Sequence, residues 1–256
     1  MKKNWVIHNN YKSFEKELKG IIDSFADQGD IVMDGERNLI KKFKLSSGLM
    51  INIKSFKKPH LINQFSYAYI RPSKAKRSYE NAGKLIQSGV LTPLPIAYIE
   101  FSNSLGITNS YYISGHVDYD FTYRELLNEN FPDRVNILKQ FTHFTYQLHE
   151  NQIDFLDHSP GNTLIIEKEN KTYDFYLIDL NRMDFKEMNL EDRMANFRKL
   201  SAKDDMIRIM SDEYAQIINK PSEEIYNLMK NASDDFQKSY QRRMHFKAKF
   251  LGREYS

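Results

Sequence analysis

The chain has 256 residues, enough to bury a sizeable core in one large domain or two small lobes. Hydrophobic residues make up 41% and charged residues 28%, as in ordinary globular chains, and there is no cysteine, which excludes disulfides, thiolate nucleophiles and cysteine-ligated zinc. A net charge of +3 is too slight to argue for a nucleic-acid partner, and no nucleic-acid-binding motif is present.

The opening, MKKNWVIHNNYKSFEKELKG, starts basic but has no apolar h-region. No later stretch approaches the ~20 apolar residues of a membrane helix. Both features predict a cytoplasmic protein. Residues 30 to 58 read as strands, with Ser46-Ser47-Gly48 as the turn between them. In the second strand Met50, Asn52, Lys54 and Phe56 alternate with Ile51, Ile53 and Ser55, so the two sets face opposite ways. Pro59 closes that strand. A helix is predicted from Ser73 to Ser88 by the spacing of Ala75, Tyr79, Ala82, Leu85 and Ile86, with Gly89 as its stop. The Pro-punctuated TPLPIAYIEF and the later SYYIS add two strands.

Helical pattern dominates from Thr122 to Leu127 and from Asp133 to Glu150. Val135, Leu138, Phe141, Thr145 and Leu148 are expected on one face of the longer helix. The pattern breaks from Ile153 to Asn162. A hairpin follows, TLIIEK and TYDFYLID around the turn EN, and the rest from about Leu190 is charged and mostly helical. Strands followed by helices indicate an α+β architecture, with an N-terminal lobe over 1–114, a C-terminal lobe over 115–256 and a ligand expected in a cleft between them. The segment 241–253, QRRMHFKAKFLGR, is basic and lacks acids. It reads either as a patch for anionic lipid or a phosphorylated glycan, or as a solvated helix end whose cations suit the helix dipole.

The chemistry is concentrated in FLDHSPGNTLII, residues 155 to 166. Asp157 is followed five residues later by Asn162, with Pro160-Gly161 tightening the loop. Two strands later the chain reaches Asp179-Leu180-Asn181. A helix, an Asp-x-x-x-x-Asn loop, a hairpin and a terminal Asp form a restrictive series. Phosphoryl transfer needs a base for the attacking hydroxyl and neutralisation of the phosphate charge, chiefly by Mg²⁺. Asp157 suits the first task. Asn162 and Asp179 are hard oxygen donors suited to the second.

This arrangement resembles the protein-kinase superfamily, with its His-Arg-Asp-x-x-x-x-Asn and Asp-Phe-Gly loops. FLDHSPGNTLI with YLIDLNRM, and SYENAGKLIQSGVLTPLPIAYIE before them, look like the lipopolysaccharide kinase group of Kdo and heptose kinases. The resemblance covers roughly residues 30 to 200 and implies a two-lobed protein-kinase-like fold binding ATP and Mg²⁺. It implies Asp157 as catalytic base and Asn162 and Asp179 as metal ligands. Lys54 is then the strand lysine that reaches the phosphates, and Glu80 its helix partner. Tyr112 to Gly115, including Ser114, match the adenine-binding hinge. The chain departs from the pattern at several points. Phe155 and Leu156 stand where the family has His-Arg, and Leu180-Asn181 where it has Phe-Gly. The glycine loop is reduced to Asp34-Gly35-Glu36-Arg37-Asn38, with Arg37 or Asn38 helping to hold phosphate.

Each assignment has a plainer rival. Asp157 and Asn162 also read as turn residues, and Lys54 competes with Lys57 and Lys58. Glu80 shares its helix with Lys74, Lys76, Arg77 and Lys84, as on any solvated face. His158 is either a substrate contact or a loop residue without a role. His143 and His149, six apart, are wrongly spaced for a shared metal and read as structural. The expected function is ATP-dependent phosphorylation of a sugar hydroxyl, Kdo or heptose of the lipopolysaccharide inner core, at the cytoplasmic membrane face. The alternatives are a kinase of a protein or small metabolite, and a non-catalytic pseudokinase.

Overall fold

A computed structural model of the chain describes residues 2–35, 38–56, 72–104 and 106–251. The chain divides into two compact units, Met1–Asp118 with Leu177–Arg182, and Tyr119–Tyr176 with Met183–Ser256.

In the first unit the described residues form a six-stranded sheet in the order β1-β5-β6-β4-β3-β2. Its strands are β1 (Lys2–Ile7), β2 (Asp30–Asp34), β3 (Asn38–Lys44), β4 (Met50–Phe56), β5 (Pro95–Asn103) and β6 (Gly106–Gly115), all paired antiparallel. The alternation in β4 decides the layering. Ile51 and Ile53 are fully buried in a core with Leu18, Ile22, Phe25, Ile96, Ile99 and Ile113. Phe56, on the opposite face with Lys54, packs with Ala75, Tyr98 and Tyr112 against helix α2 (Lys74–Gln87). Ser73 caps that helix by accepting from the Lys76 N–H at 3.0 Å, and Gly89 follows it at φ +71°, a conformation that suits glycine. Strand β1 and helix α1 (Glu15–Asp23) were not among the elements expected from sequence. The position expected to end β4, Pro59, lies outside the described residues, as do Lys57 and Lys58.

The second unit contains helices α3 (Arg134–Glu150), α4 (Leu190–Asn196), α5 (Asp204–Ile218) and α6 (Ser222–Leu251). Ile137, Leu138, Phe141, Met194, Phe197, Met206, Met210 and Tyr214 share its core. The buried face of α3 runs through Leu138, Phe141, Thr145 and Leu148 as the periodicity indicates. Val135, expected on that face, is 51% exposed, and Ile137 and Thr142 are buried in the same helix. Strands β7 (Phe121–Thr122), β9 (Thr163–Glu167) and β10 (Tyr173–Leu177) form a small sheet ordered β10-β9-β7. The two-residue strand β8 (Ile153–Asp154) pairs with β11 (Asp184–Phe185). The stretch 155–162, between β8 and β9, is thus anchored by pairing at both ends. Asn170 and Lys171, both at φ 58°, turn the chain from β9 to β10, where the EN turn was expected.

A buried lysine ties α1 to the sheet. Lys41 of β3 is 5% exposed, and its ammonium donates to the carbonyls of Phe25, Ala26 and Gln28 at 2.8, 2.9 and 2.9 Å. These carbonyls line the turn between α1 and β2. Lys41→Met keeps the stem and removes three charge-assisted bonds. It is expected to lower unfolding free energy by about 3 kcal/mol, read as an earlier urea midpoint with unchanged slope.

Candidate active site

The first unit brings Lys54 and Asp179 together. Lys54 lies in the middle of β4, opposite Ile40 of β3 and Tyr112 of β6. Its Nζ is 2.7 Å from Asp179 Oδ1, with the two side chains 13% and 26% exposed. Asp179 follows β10 and adopts φ 58°, a left-handed conformation that Asp tolerates better than most residues. Asn181 Nδ2 donates to the same Oδ1 at 2.6 Å. Asp179 Oδ2 makes no hydrogen bond or ion pair among the described residues.

Helix α2 and the loop after it hold the backbone of this turn. Asn81 Nδ2 donates to the Leu180 carbonyl at 2.7 Å, and Arg77 Nη1 to the Asn181 carbonyl at 2.6 Å. Thr92 Oγ1 donates to the Leu177 carbonyl at 2.8 Å, and the Leu177 N–H to the Leu91 carbonyl at 3.0 Å. These bonds account for the membership of Leu177–Arg182 in the first unit. Sequence reasoning missed Arg77 and Asn81 because a basic and an amide side chain on a charged helix look like an ordinary solvated face.

Glu80 is not brought to Lys54. It is exposed, 3.8 Å from Lys76, and lines a groove of ≈830 Å³ with His8, Tyr11, Tyr79 and Lys84. The reason is rotational: Ser78, Asn81, Ala82 and Leu85 form the buried face of α2, and Glu80 points away from it. Tyr112 and Ser114 lie within β6, paired to β4 on one side and β5 on the other, so their stretch of backbone is committed to the sheet. Burial pushes the Tyr112 hydroxyl pKa up, and that hydroxyl has no hydrogen-bond partner among the described residues. At the reduced glycine loop, the Gly35 N–H donates to the Asn38 carbonyl at 3.0 Å, and Asn38 Oδ1 is buried without a hydrogen-bond partner among the described residues. Arg37 lies outside the described residues.

The second unit brings Asp157 and Asn162 together. Asn162 Nδ2 donates to the Asp157 carbonyl at 2.8 Å, and the Asn162 N–H to the Ser159 carbonyl at 2.9 Å. With its nitrogen engaged, the Asn162 amide keeps its oxygen as a ligand atom. Lys199, on the 3-10 turn Phe197–Lys199, donates to Asp157 Oδ1 at 3.1 Å and to the Leu156 carbonyl at 2.6 Å. Its sequence distance of 42 from Asp157 kept it out of the motif reading.

His158 is neither a substrate contact nor idle. It is fully buried between Phe141 and Phe155. Asn196 donates its Nδ2 to Asp154 Oδ1 at 2.8 Å, which turns its oxygen towards His158. His158 Nδ1 therefore carries the proton and donates to Asn196 Oδ1 at 3.1 Å. Burial lowers its pKa to about 4, and burial, helped by His158 and Arg193, lowers that of His149 to about 3. His149 shares a 2.9 Å bond with the Tyr214 hydroxyl, whereas His143 meets Glu213 at the surface. Phe155, 1% exposed, fills the interior beside His158.

No protein-family model matches the chain, and no curated protein matches it in sequence. Among solved structures, WaaP in complex with acyl carrier protein aligns at a TM-score of 0.63 and 12% identity, over 93% of this chain and 98% of that one. A Rio2 kinase–ADP/Mg²⁺–phosphoaspartate complex from Chaetomium thermophilum gives 0.49 and 13%, over 85% and 67%. The likeness to WaaP shows the fold: the chain is protein-kinase-like, with an antiparallel sheet and helix towards the N-terminus and a helical C-terminal region.

Two outcomes follow. Asn81→Leu strands the Leu180 carbonyl in a buried place and is expected to cost about 2 kcal/mol in a urea titration. The buried histidines stay neutral when folded but bind protons once unfolded, near their ordinary 6.5. Their contribution is complete above pH 6.5 and is lost as pH falls from there towards about 4 for His158 and about 3 for His149. Between pH 6.5 and 5.5 stability should fall by about 1 kcal/mol per histidine. His158→Gln should flatten that slope in urea midpoints measured across the range.

Proposed function

We propose that this chain is an ATP- and Mg²⁺-dependent phosphotransferase acting on a sugar hydroxyl of the lipopolysaccharide inner core. The observation that carries the reading is the 2.7 Å ion pair between Lys54, an interior strand lysine, and Asp179, on a left-handed turn at the end of a strand. On this reading Lys54 is the phosphate-binding lysine and Asp179 the metal-loop aspartate, as the resemblance to protein kinases implies.

The donor atoms fit a hard divalent cation. Asp179 Oδ2 and the Asn162 amide oxygen are each left open by the bonds their partner atoms make. Each of these oxygen donors suits an ion that completes its shell with water and phosphate oxygens. When bound, Mg²⁺ neutralises charge on the phosphates. Lys54 supports the same phosphates with its ammonium. Asp157 orients the acceptor hydroxyl and takes its proton as the oxygen attacks phosphorus. Asn162 keeps the Asp157 loop closed through the Asp157 carbonyl.

The acceptor class rests on the sequence resemblance of residues 78–100, 155–165 and 176–183 to lipopolysaccharide kinases, with the fold shared with WaaP in agreement. The segment between Asp179 and α4, which begins at Leu190, is short for a peptide-binding platform. No helix among the described residues is long and apolar enough to cross a membrane. A glycolipid acceptor would then be met at the membrane surface, where Arg242, Arg243 and His245 near the end of α6 are exposed.

The test is transfer of labelled phosphate from ATP to heptose-bearing Kdo-lipid A, alongside a thermal-shift titration with ATP and Mg²⁺. Label should enter the glycolipid, and Asp157→Ala should reduce the rate by about 10³-fold. Label on protein or a small metabolite alone would overturn the acceptor. No transfer together with no shift at millimolar nucleotide would overturn the kinase reading and favour a pseudokinase.

A further inference from the structure

The Asp157 carboxylate has a cationic neighbour that no motif indicates. Lys199 Nζ lies 3.1 Å from Asp157 Oδ1 and 2.6 Å from the Leu156 carbonyl, with the two side chains 22% and 25% exposed. An ammonium has three N–H donors. Two are engaged here, and the third has no partner among the described residues.

The chemistry proposed for Asp157 creates a need for such a group. A carboxylate placed to take the hydroxyl proton repels the negatively charged phosphoryl group that approaches the same hydroxyl. The loop from Asp157 to Asn162 contains no lysine or arginine. His158 is neutral and sealed between Phe141 and Phe155. Cationic charge must therefore come from other elements: Arg124 reaches the loop at Gly161, and Lys199, on the turn after α4, reaches the Asp157 carboxylate itself.

We propose that Lys199 is a catalytic residue whose ammonium spans the Asp157 carboxylate and an oxygen of the phosphoryl group in transfer. This rests on the phosphotransfer reading above. In the step, the acceptor oxygen bonds to the γ-phosphorus and its proton passes to Asp157. The bond from that phosphorus to the β–γ bridging oxygen breaks, and its electron pair leaves with ADP. Lys199 gives up no proton. Its charge offsets the repulsion between carboxylate and phosphoryl oxygens as the two draw close.

The rival role is a structural tie on the Leu156 carbonyl, and the experiment separates the two. Wild type, Lys199→Met, Lys199→Arg and Lys199→Ala are compared for transfer to the glycolipid and for melting temperature. Lys199→Met should lower kcat by about 10²-fold with KM for ATP nearly unchanged. Lys199→Arg should keep more activity than Lys199→Met. Added ethylammonium should partly restore kcat of Lys199→Ala in a saturable way without raising its melting temperature. Full activity in Lys199→Met overturns the assignment. So does a loss that follows melting temperature and resists both arginine and amine. An inactive wild type that also fails to bind nucleotide instead overturns the phosphotransfer reading itself.

Discussion

An ammonium on an interior strand and a carboxylate on a strained turn hold each other in place, and the first unit is arranged around that pair. Lys54, at 13% exposure, would carry an unpaired charge into a largely dry setting without Asp179. Asp179 occupies backbone space that costs a non-glycine residue roughly 1–2 kcal/mol. Asn81, Arg77, Thr92 and Asn181 offset that cost by bonding the turn's carbonyls and carboxylate. The register of β4 matters equally, because a slip of one residue would move Lys54 to the face where Ile51 and Ile53 pack.

The second unit meets a comparable demand with different materials. A carboxylate on a loop needs a rigid floor, and the floor beneath Asp157 is built from polar groups in a hydrophobic setting. Asp154 orients Asn196, Asn196 orients His158, and Phe141 and Phe155 close around the ring. Because each member fixes the next, the imidazole has one tautomer and one direction. Above this floor, Asn162 and Lys199 contact the backbone and carboxylate of Asp157 from two sides.

Much of this was legible in the chain itself. The two-residue alternation of β4 places Lys54 on the α2 face, and Ser73 and Gly89 mark the limits of that helix. The Asp157–Asn162 spacing and the aspartate after YLI identify the two loops. Several features were not legible, for definite reasons. Helical periodicity shows that α2 has a buried face but not how it is turned against the sheet, so Glu80 was assigned where Asn81 and Arg77 reach the turn. Tyr112 and Ser114 look like a hinge in one dimension, while strand order reveals them as interior positions. Lys199 depends on a turn more than 40 residues downstream of its partner, beyond any local pattern. His158 looked idle because burial cannot be read from a loop that contains Pro and Gly.

Helix α2 reaches the turn at Asp179 through the carbonyls of Leu180 and Asn181 rather than through an acid on Lys54. Its mechanical linkage is therefore to Asp179. A rolling or sliding displacement of α2 would tug on the peptide planes beside Asp179, and the lysine would follow only at second hand. Anything that settled into the groove beside Tyr79 and Lys84 would press on the outer side of this lever. Under the phosphotransfer reading proposed above, its effect would surface first as an altered appetite for divalent cation, with nucleotide affinity lagging behind.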